Sequence, residues 1–219
     1  MSFGEPIALR GQVELDQAAA ATSGDVRRAV EAQFIERLKA GDEAAFDDLV
    51  TERSGDVYAL LYRLTNDAEE ARDLTQETFL RTFQNINLFR GDAELKTWIY
   101  RIAVNQARNR WRWWRRRRRD VTVSLDAGDS HSDESLGARL RDRASRDPEQ
   151  DTLAHEREKA LMAALDLLSR SYRETVILRD IEGLSYEEIA TTLEISIGTV
   201  KSRLARGRNE LRVRLGGSL

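Results

Sequence analysis

The 219-residue chain has no cysteine, 2 prolines and 2 histidines. Without cysteine there is no disulfide scaffold, no thiol nucleophile and no thiolate zinc site, and the composition fits a reducing compartment. The histidines, His131 and His155, fall in a polar stretch and at a helix start, where solvent exposure is the simplest expectation. No G-x-x-x-x-G-K phosphate loop occurs. Asp126, Asp129, Asp133 and Glu134 could loosely chelate a cation but lack the spacing of a calcium loop. Neither catalysis nor a cofactor or metal is expected. No apolar run approaches the roughly 18 residues that a membrane span needs. The opening MSFGEPIALRGQVELDQ has neither the basic flank nor the apolar core of a secretory signal, so the cytoplasm is the expected location.

What is present is charge, arranged in blocks. The formal net charge of -3 averages over them. Residues 1–94 carry 10 Lys/Arg against 19 Asp/Glu, whereas residues 95–119 carry 10 basic groups and no acidic one. Residues 120–152 turn acidic again, with 4 against 9, and residues 153–219 are nearly balanced, with 11 against 10. A concentrated basic block inside an acidic chain is the electrostatic footprint of a polyanion partner.

Apolar residues at spacings of three and four predict helices throughout, with no strand and no internal repeat. Phe34, Ile35 and Leu38 share a face that Gly41-Asp42 ends, Asp42 capping the next helix. That helix carries Phe46, Leu49, Val50, Val57, Leu60, Leu61 and Leu64 and stops at Asn66-Asp67. Asp67 and Glu70 read as a capping box for a third helix with Ala71, Leu74, Phe79, Leu80 and Phe83 inward. A loop over Asn85–Glu94 leads to a fourth helix from Leu95 through Trp114. Helical period returns after His155, with Leu161, Leu165, Leu168, Val176, Ile177 and Leu178, and Glu182-Gly183-Leu184 turns the chain. The expected fold is all-α, with two small helical domains (31–118 and 155–215) joined by a flexible acidic linker (119–154) and preceded by an extension (1–30).

Two constellations point to nucleic acid. Ser185 and Glu188 form a capping box for a helix burying Ile189, Ala190 and Leu193. After a short turn at Glu194-Ile195-Ser196, a second helix opens at Ile197 with Val200 and Leu204 inward. Small Ala190 is expected at the crossing, and the pattern is that of a helix-turn-helix. The second helix offers Lys201, Ser202, Arg203, Arg206 and Arg208 outward. In residues 95–119, all four tryptophans (Trp98, Trp111, Trp113, Trp114) are interleaved with arginines. Bases stack on aromatic faces while arginines follow the backbone, which suits unpaired DNA. Trp98, with Ile99 and Ile102, suits the domain core better than such a face. The acidic helix face at Glu69, Glu70, Asp73, Gln76 and Glu77 reads, by itself, as solvated surface.

The runs Phe89-Arg90-Gly91-Asp92 and Thr97-Trp98-Ile99-Tyr100-Arg101-Ile102-Ala103-Val104-Asn105 resemble regions 2.3 and 2.4 of extracytoplasmic-function (ECF) sigma factors. Gly183-Leu184-Ser185-Tyr186-Glu187-Glu188-Ile189-Ala190, followed by Gly198-Thr199-Val200-Lys201-Ser202-Arg203-Leu204-Ala205-Arg206-Gly207-Arg208, is similar to their region 4.2. Asp73-Leu74-Thr75-Gln76-Glu77-Thr78-Phe79 resembles region 2.2. The motifs come in family order across about residues 31–215. The resemblance implies a specificity subunit that binds core RNA polymerase (β′ clamp and β flap), with Asp73, Gln76, Glu77 and Arg81 at the polymerase face. It implies a minus-10 element captured as a melted non-template strand by Phe89, Arg90, Gly91, Asp92, Lys96, Asn105, Arg108, Asn109 and Arg112. It also implies a minus-35 duplex read by Ser196, Thr199, Lys201, Ser202, Arg203, Ala205, Arg206 and Arg208. A regulating anti-sigma factor is implied as well, with no membrane insertion.

Two departures from the family pattern stand out, the N-terminal extension and the very basic, aromatic Trp111–Arg119 stretch. If Arg115–Arg119 hold phosphates, replacing them with Gln flattens the salt dependence of promoter binding. The alternative is a regulator that binds duplex DNA through the helix-turn-helix alone, which leaves the tryptophan–arginine block without a purpose.

Overall fold

Three helix ends are set by residues in the left-handed region, where the chain must reverse. Helix α1 (29–39) ends at Gly41, φ 77°, whose N–H bonds Leu38 O while Asp42 N–H bonds Arg37 O, both at 3.1 Å. That double closure is the Schellman motif, in which glycine escapes the Cβ penalty. Asp42 then caps α2 (Glu43–Thr65) by accepting Ala45 N–H at 3.2 Å and pairs with Arg37 Nε at 2.7 Å. These partners, the Arg37 hydrogen bond foremost, lower its carboxyl pKa. Helix α2 ends at Asn66, φ 55°, whose N–H reaches Tyr62 O at 2.8 Å.

The computed structural model describes residues 26, 29–120 and 159–214, and the chain divides into the units Met1–Asp48 and Leu49–Leu219. Most of the extension, the linker, both histidines and the loose Asp126–Glu134 cluster lie outside the described residues. Among the described residues every regular element is helical.

Asp67 caps α3 (Ala68–Asn85), accepting Glu70 N–H at 2.9 Å. Only this half of the expected box forms: Asp67 N–H donates to Thr65 Oγ1 at 3.4 Å, and the Glu70 carboxylate lies 3.7 Å from Arg110 Nε. Ala71, Leu74, Thr78, Phe79 and Thr82 are buried. Leu80 and Phe83, expected inward, are each 51% exposed, and Val50 of α2 is 39% exposed. Threonines take the inward places on α3, because Thr78 and Thr82 satisfy their hydroxyls on Leu74 O (2.7 Å) and Thr78 O (2.8 Å). A 3-10 turn, Ile86–Leu88, leads to α4 (Leu95–Asp120), longer than expected and about 39 Å at 1.5 Å per residue. Its inward stripe is Leu95, Ile99, Tyr100, Ala103, Val104 and Ala107.

The second half comprises α5 (159–166), α6 (Arg170–Val176) continued by a π turn (Ile177–Ile181), α7 (Tyr186–Leu193) and α8 (Ile197–Arg214). Its core gathers Met162, Leu165, Leu168, Val176, Ile177, Leu178, Leu184, Ile189, Leu193, Val200, Leu204 and Leu211. Leu161, expected inward, is 37% exposed, and Ala190 is only partly buried. The tight approach is instead at Gly207 of α8, where a Cβ would lie 2.8 Å from Val176 Cγ2 and 3.2 Å from Tyr172 Cβ. Glycine there lets α8 close on α6. Helix α4 packs on α3 and also on α7, joining the first half to the second within Leu49–Leu219.

Candidate nucleic-acid interface

The helix-turn-helix is built from local bonds. Ser185 Oγ accepts Glu188 N–H at 3.2 Å, and Glu188 Oε2 accepts Ser185 N–H at 2.7 Å, completing the predicted capping box. Helix α7 ends at Glu194, φ 57°, and Ile195 N–H closes onto Ala190 O at 3.0 Å. Ser196 opens α8 by accepting Thr199 N–H at 3.2 Å, and its hydroxyl also meets Thr199 Oγ1 at 2.9 Å. Lys201, Ser202, Ala205 and Arg206 face solvent along α8, while Arg203 is partly buried. Arg208 is tied to Asp180 of the π turn, a pairing that raises its pKa.

Helix α4 presents a second polar stripe, Thr97, Arg101, Asn105, Arg108 and Arg112, at helical spacing. Arg112 donates to Asn109. Arg90, Gly91 and Asp92 are exposed, with Gly91 at φ 79°. Phe89 is 5% exposed and meets Trp98 edge-on at 5.5 Å, so it lies beneath the loop surface. Lys96 Nζ lies 5.1 Å above the Tyr100 ring. Trp111, Trp113 and Trp114 are 45%, 40% and 48% exposed, with Trp113 and Trp114 edge-to-face at 5.0 Å and Arg117 stacked 4.7 Å over Trp113.

On α3, Asp73, Gln76 and Arg81 are exposed, and Glu77 binds Arg81 Nε at 2.8 Å. Asp73, Gln76 and Glu77 line one open groove with Asn109, Arg110, Trp113 and Arg116 of α4. The structure thus brings the polymerase-face candidates beside part of the minus-10 set, while the α8 set stands apart.

Sequence reasoning missed the acidic groups that α4 meets. Thr97 Oγ1 donates to Glu188 Oε1 at 2.7 Å, and Arg101 Nη2 to Glu194 Oε1 at 2.7 Å. Arg108 reaches both oxygens of Glu174, at 2.6 to 3.1 Å, and also Leu193 O at 3.2 Å. Tyr100 Oη and Arg63 Nη1 donate to Glu182 at 2.8 and 3.0 Å. Arg170 Nε joins Glu174 at 2.7 Å and lies 4.9 Å over the Trp111 ring. Apart from Arg170–Glu174, four residues apart, each of these ion pairs and hydrogen bonds spans 66 residues or more, so no local spacing could have signalled it.

Burial works against the Glu188 charge, but bonds from Thr97 and Ser185 outweigh it and lower the carboxyl pKa. Burial lowers the Arg170 pKa and raises those of Glu70 and Tyr100. Among the described residues, no group of three His, Cys, Asp or Glu could hold a metal ion, and no helix is long and apolar enough to cross a membrane.

Comparison with known proteins places these two helical halves. The family model "Sigma-70 region 2" matches residues 49–119, and "Sigma-70, region 4" matches residues 158–211. The chain is 38% identical over 179 residues to the RNA polymerase sigma-H factor of Pseudomonas aeruginosa, covering 82% of this chain and 90% of that protein. It is 34% identical over 175 residues to the ECF RNA polymerase sigma-E factor of Haemophilus influenzae, covering 80% and 89%. Among solved structures it is similar to the sigma factor RpoE from Bartonella quintana, in complex with the anti-sigma factor NepR. That match has a TM-score of 0.59 and 26% identity, covering 80% of this chain and 98% of that one. CnrH, solved with the cytosolic domain of CnrY, shares the fold at a TM-score of 0.60 and 20% identity, covering 86% and 99%. With both regions matched in order and relatives aligned along most of their length, the chain belongs to the extracytoplasmic-function branch of the sigma-70 family and is an RNA polymerase sigma factor.

Proposed function

We propose that this sigma factor directs core RNA polymerase to promoters through three surfaces of its own chain. The 31–118 segment acts as region 2 and the 155–215 segment as region 4. Asp73, Gln76, Glu77 and Arg81 on α3 dock on the β′ clamp, and region 4 engages the β flap. The loop at Arg90–Asp92, with Lys96, Asn105, Arg108, Asn109 and Arg112, receives the melted non-template strand of the minus-10 element, and Phe89 supports that loop from below. Asparagine suits base capture because its amide both donates and accepts, and hydrogen bonds in a pocket offset the few kcal/mol of flipping. Lys201, Ser202, Ala205 and Arg206 read base edges of the minus-35 duplex. Ser196, Thr199, Arg203 and Arg208 hold its phosphates.

The chain contributes no chemical step to nucleotide addition and works in the cytoplasm with the polymerase. By likeness to the RpoE relative, an anti-sigma factor is its regulating partner. The observation that carries the reading is the pairing, in one chain, of a capped helix-turn-helix exposing Lys201 and Arg206 with the polar α4 stripe around Asn105. A regulator acting through α8 alone leaves that stripe without a task.

Run-off transcription with core polymerase over a library of promoter fragments tests it. Specific initiation is expected, lost on Asn105→Ala or Lys201→Ala. No transcription, with tight duplex binding in the absence of core, would replace this reading with the stand-alone regulator.

A further inference from the structure

A cavity of about 390 Å³ lies where residues of α2, α4 and α6 come together. Ala107, Leu168 and the indoles of Trp111 and Trp114 form its apolar wall, and Arg170, Arg173 and Glu174 line it as well. The charges around it do not balance. Glu174 is already shared by Arg108 and Arg170. Burial is the main reason that the Arg170 pKa is low, and Arg108 and Arg112 lower it further while Glu174 opposes them. Arg112 itself donates to the neutral Asn109. Three guanidiniums thus draw on one carboxylate. The other acid of the wall, Glu70, faces Arg110 Nε at 3.7 Å. Arg173 pairs with Asp166 through Nη1 at 2.7 Å, yet its Nε is buried without a hydrogen-bond partner. Buried donors are normally paired, so an unpaired one beside a cavity marks a place for an acceptor.

We infer that this cavity is a binding site for a small aromatic anion, whose ring lies against the Trp111 and Trp114 indoles and whose acid group pairs with Arg170 and Arg173. The wall supplies both halves of that chemistry. Indole surfaces take up flat rings, and a guanidinium fork matches a carboxylate or sulfonate. The surplus of positive charge disfavours a cationic guest and leaves a neutral one without its strongest contact. Ligand pockets span about 300–1,000 Å³, and this one stands at the low end. It therefore suits an acid of one or two rings better than a nucleotide. No residue of the wall is among those assigned to polymerase, to the minus-10 strand or to the minus-35 duplex. The site is additional to those surfaces and does not depend on the promoter reading.

The probe is 2-naphthoate, titrated into the full chain at neutral pH and followed by isothermal titration calorimetry. Its neutral counterpart is 2-naphthalenemethanol, and its non-aromatic counterpart is cyclohexanecarboxylate. One naphthoate per chain is expected, bound about tenfold more tightly than either counterpart, the scale of one charge-assisted hydrogen bond. Arg173→Gln is expected to weaken naphthoate by a similar factor. Thr65→Trp, at a partly buried position of the wall, is expected to abolish binding by filling the cavity without removing a charge. Arg212→Gln, on the exposed side of α8, removes the same charge elsewhere and is expected to leave the affinity unchanged. Absence of binding at millimolar naphthoate overturns the inference. So does an affinity no higher than that of either counterpart, or one that Arg173→Gln or Thr65→Trp leaves unchanged. Helical circular dichroism checks each variant, and if Arg173→Gln unfolds, Thr65→Trp and the two counterparts decide.

Discussion

Arg108 and Glu174, 66 residues apart, meet through three nitrogen–oxygen contacts of 2.6 to 3.1 Å, and the carboxylate takes Arg170 as well. One buried acid thus serves two guanidiniums, one from each half of the chain. Removing one partner of a buried pair costs about 3–5 kcal/mol when the remaining charge is stranded. Glu174 is not stranded by loss of Arg108, because Arg170 stays.

Arg108→Ala is therefore expected to cost about 2 kcal/mol, below the range for an orphaned charge. In urea unfolding, Arg108→Ala with Arg170→Ala should cost more than the two single changes together. Strict additivity would show that the two arginines do not share the acid.

Gly207→Ala sets two effects against each other. Alanine gains up to about 1 kcal/mol of helix propensity, but its Cβ enters a space 2.8 Å from Val176 Cγ2. Overpacking costs about 1–3 kcal/mol, and the neighbouring Tyr172 Cβ is not the far end of a flexible chain. A net loss of about 1 kcal/mol is expected in denaturant melts, and a gain would mean that α8 shifts away from α6 without strain.

Glu194 stands where a helix end favours glycine. A non-glycine residue in the left-handed region costs about 1–2 kcal/mol, whereas the exposed Arg101–Glu194 pair contributes well under about 1 kcal/mol. Glu194→Gly is expected to raise the thermal midpoint despite losing the ion pair, and a fall would make the pair the stronger effect.

Glu188 gives stability a pH signature. Its folded carboxyl titrates below the ordinary value, so the unfolded chain binds the proton more readily as pH falls. The contribution is present above the ordinary carboxylate range and is lost as pH drops through the depressed folded value. The stability difference between the unaltered chain and Glu188→Gln should therefore shrink on acidification. A difference that is flat with pH would show that Thr97 and Ser185 do not favour the charged form.

The helices were legible because their caps and periods are local. Gly41-Asp42, Asn66-Asp67 and Ser185/Glu188 each act within a few residues, and each stands where the sequence places it. Burial was less legible. Leu80 and Phe83 lie off the face that Thr78 and Thr82 bury, and hydrophobicity alone does not reveal that back-bonded threonines take the inside. Gly207 looks like a helix defect until α6 is laid against it. The positions of Lys201, Ser202, Ala205 and Arg206 on the open side of α8 followed from its period. The acids facing α4 did not, because Glu174, Glu182 and Glu194 carry no pattern until the two halves meet.

The wide turn at Ile177–Ile181 keeps the second half in phase with the first. Glu182 N–H bonds Ile177 O, five residues back, at 3.0 Å, where an α-helix would use four. One residue of slack rotates whatever follows by about 100°. That rotation helps aim Glu182, the first residue after the turn, at Arg63 and Tyr100. Deleting a single residue here would restore a regular ladder and swing Glu182 off its partners, so the turn works as a vernier whose setting is one amino acid wide.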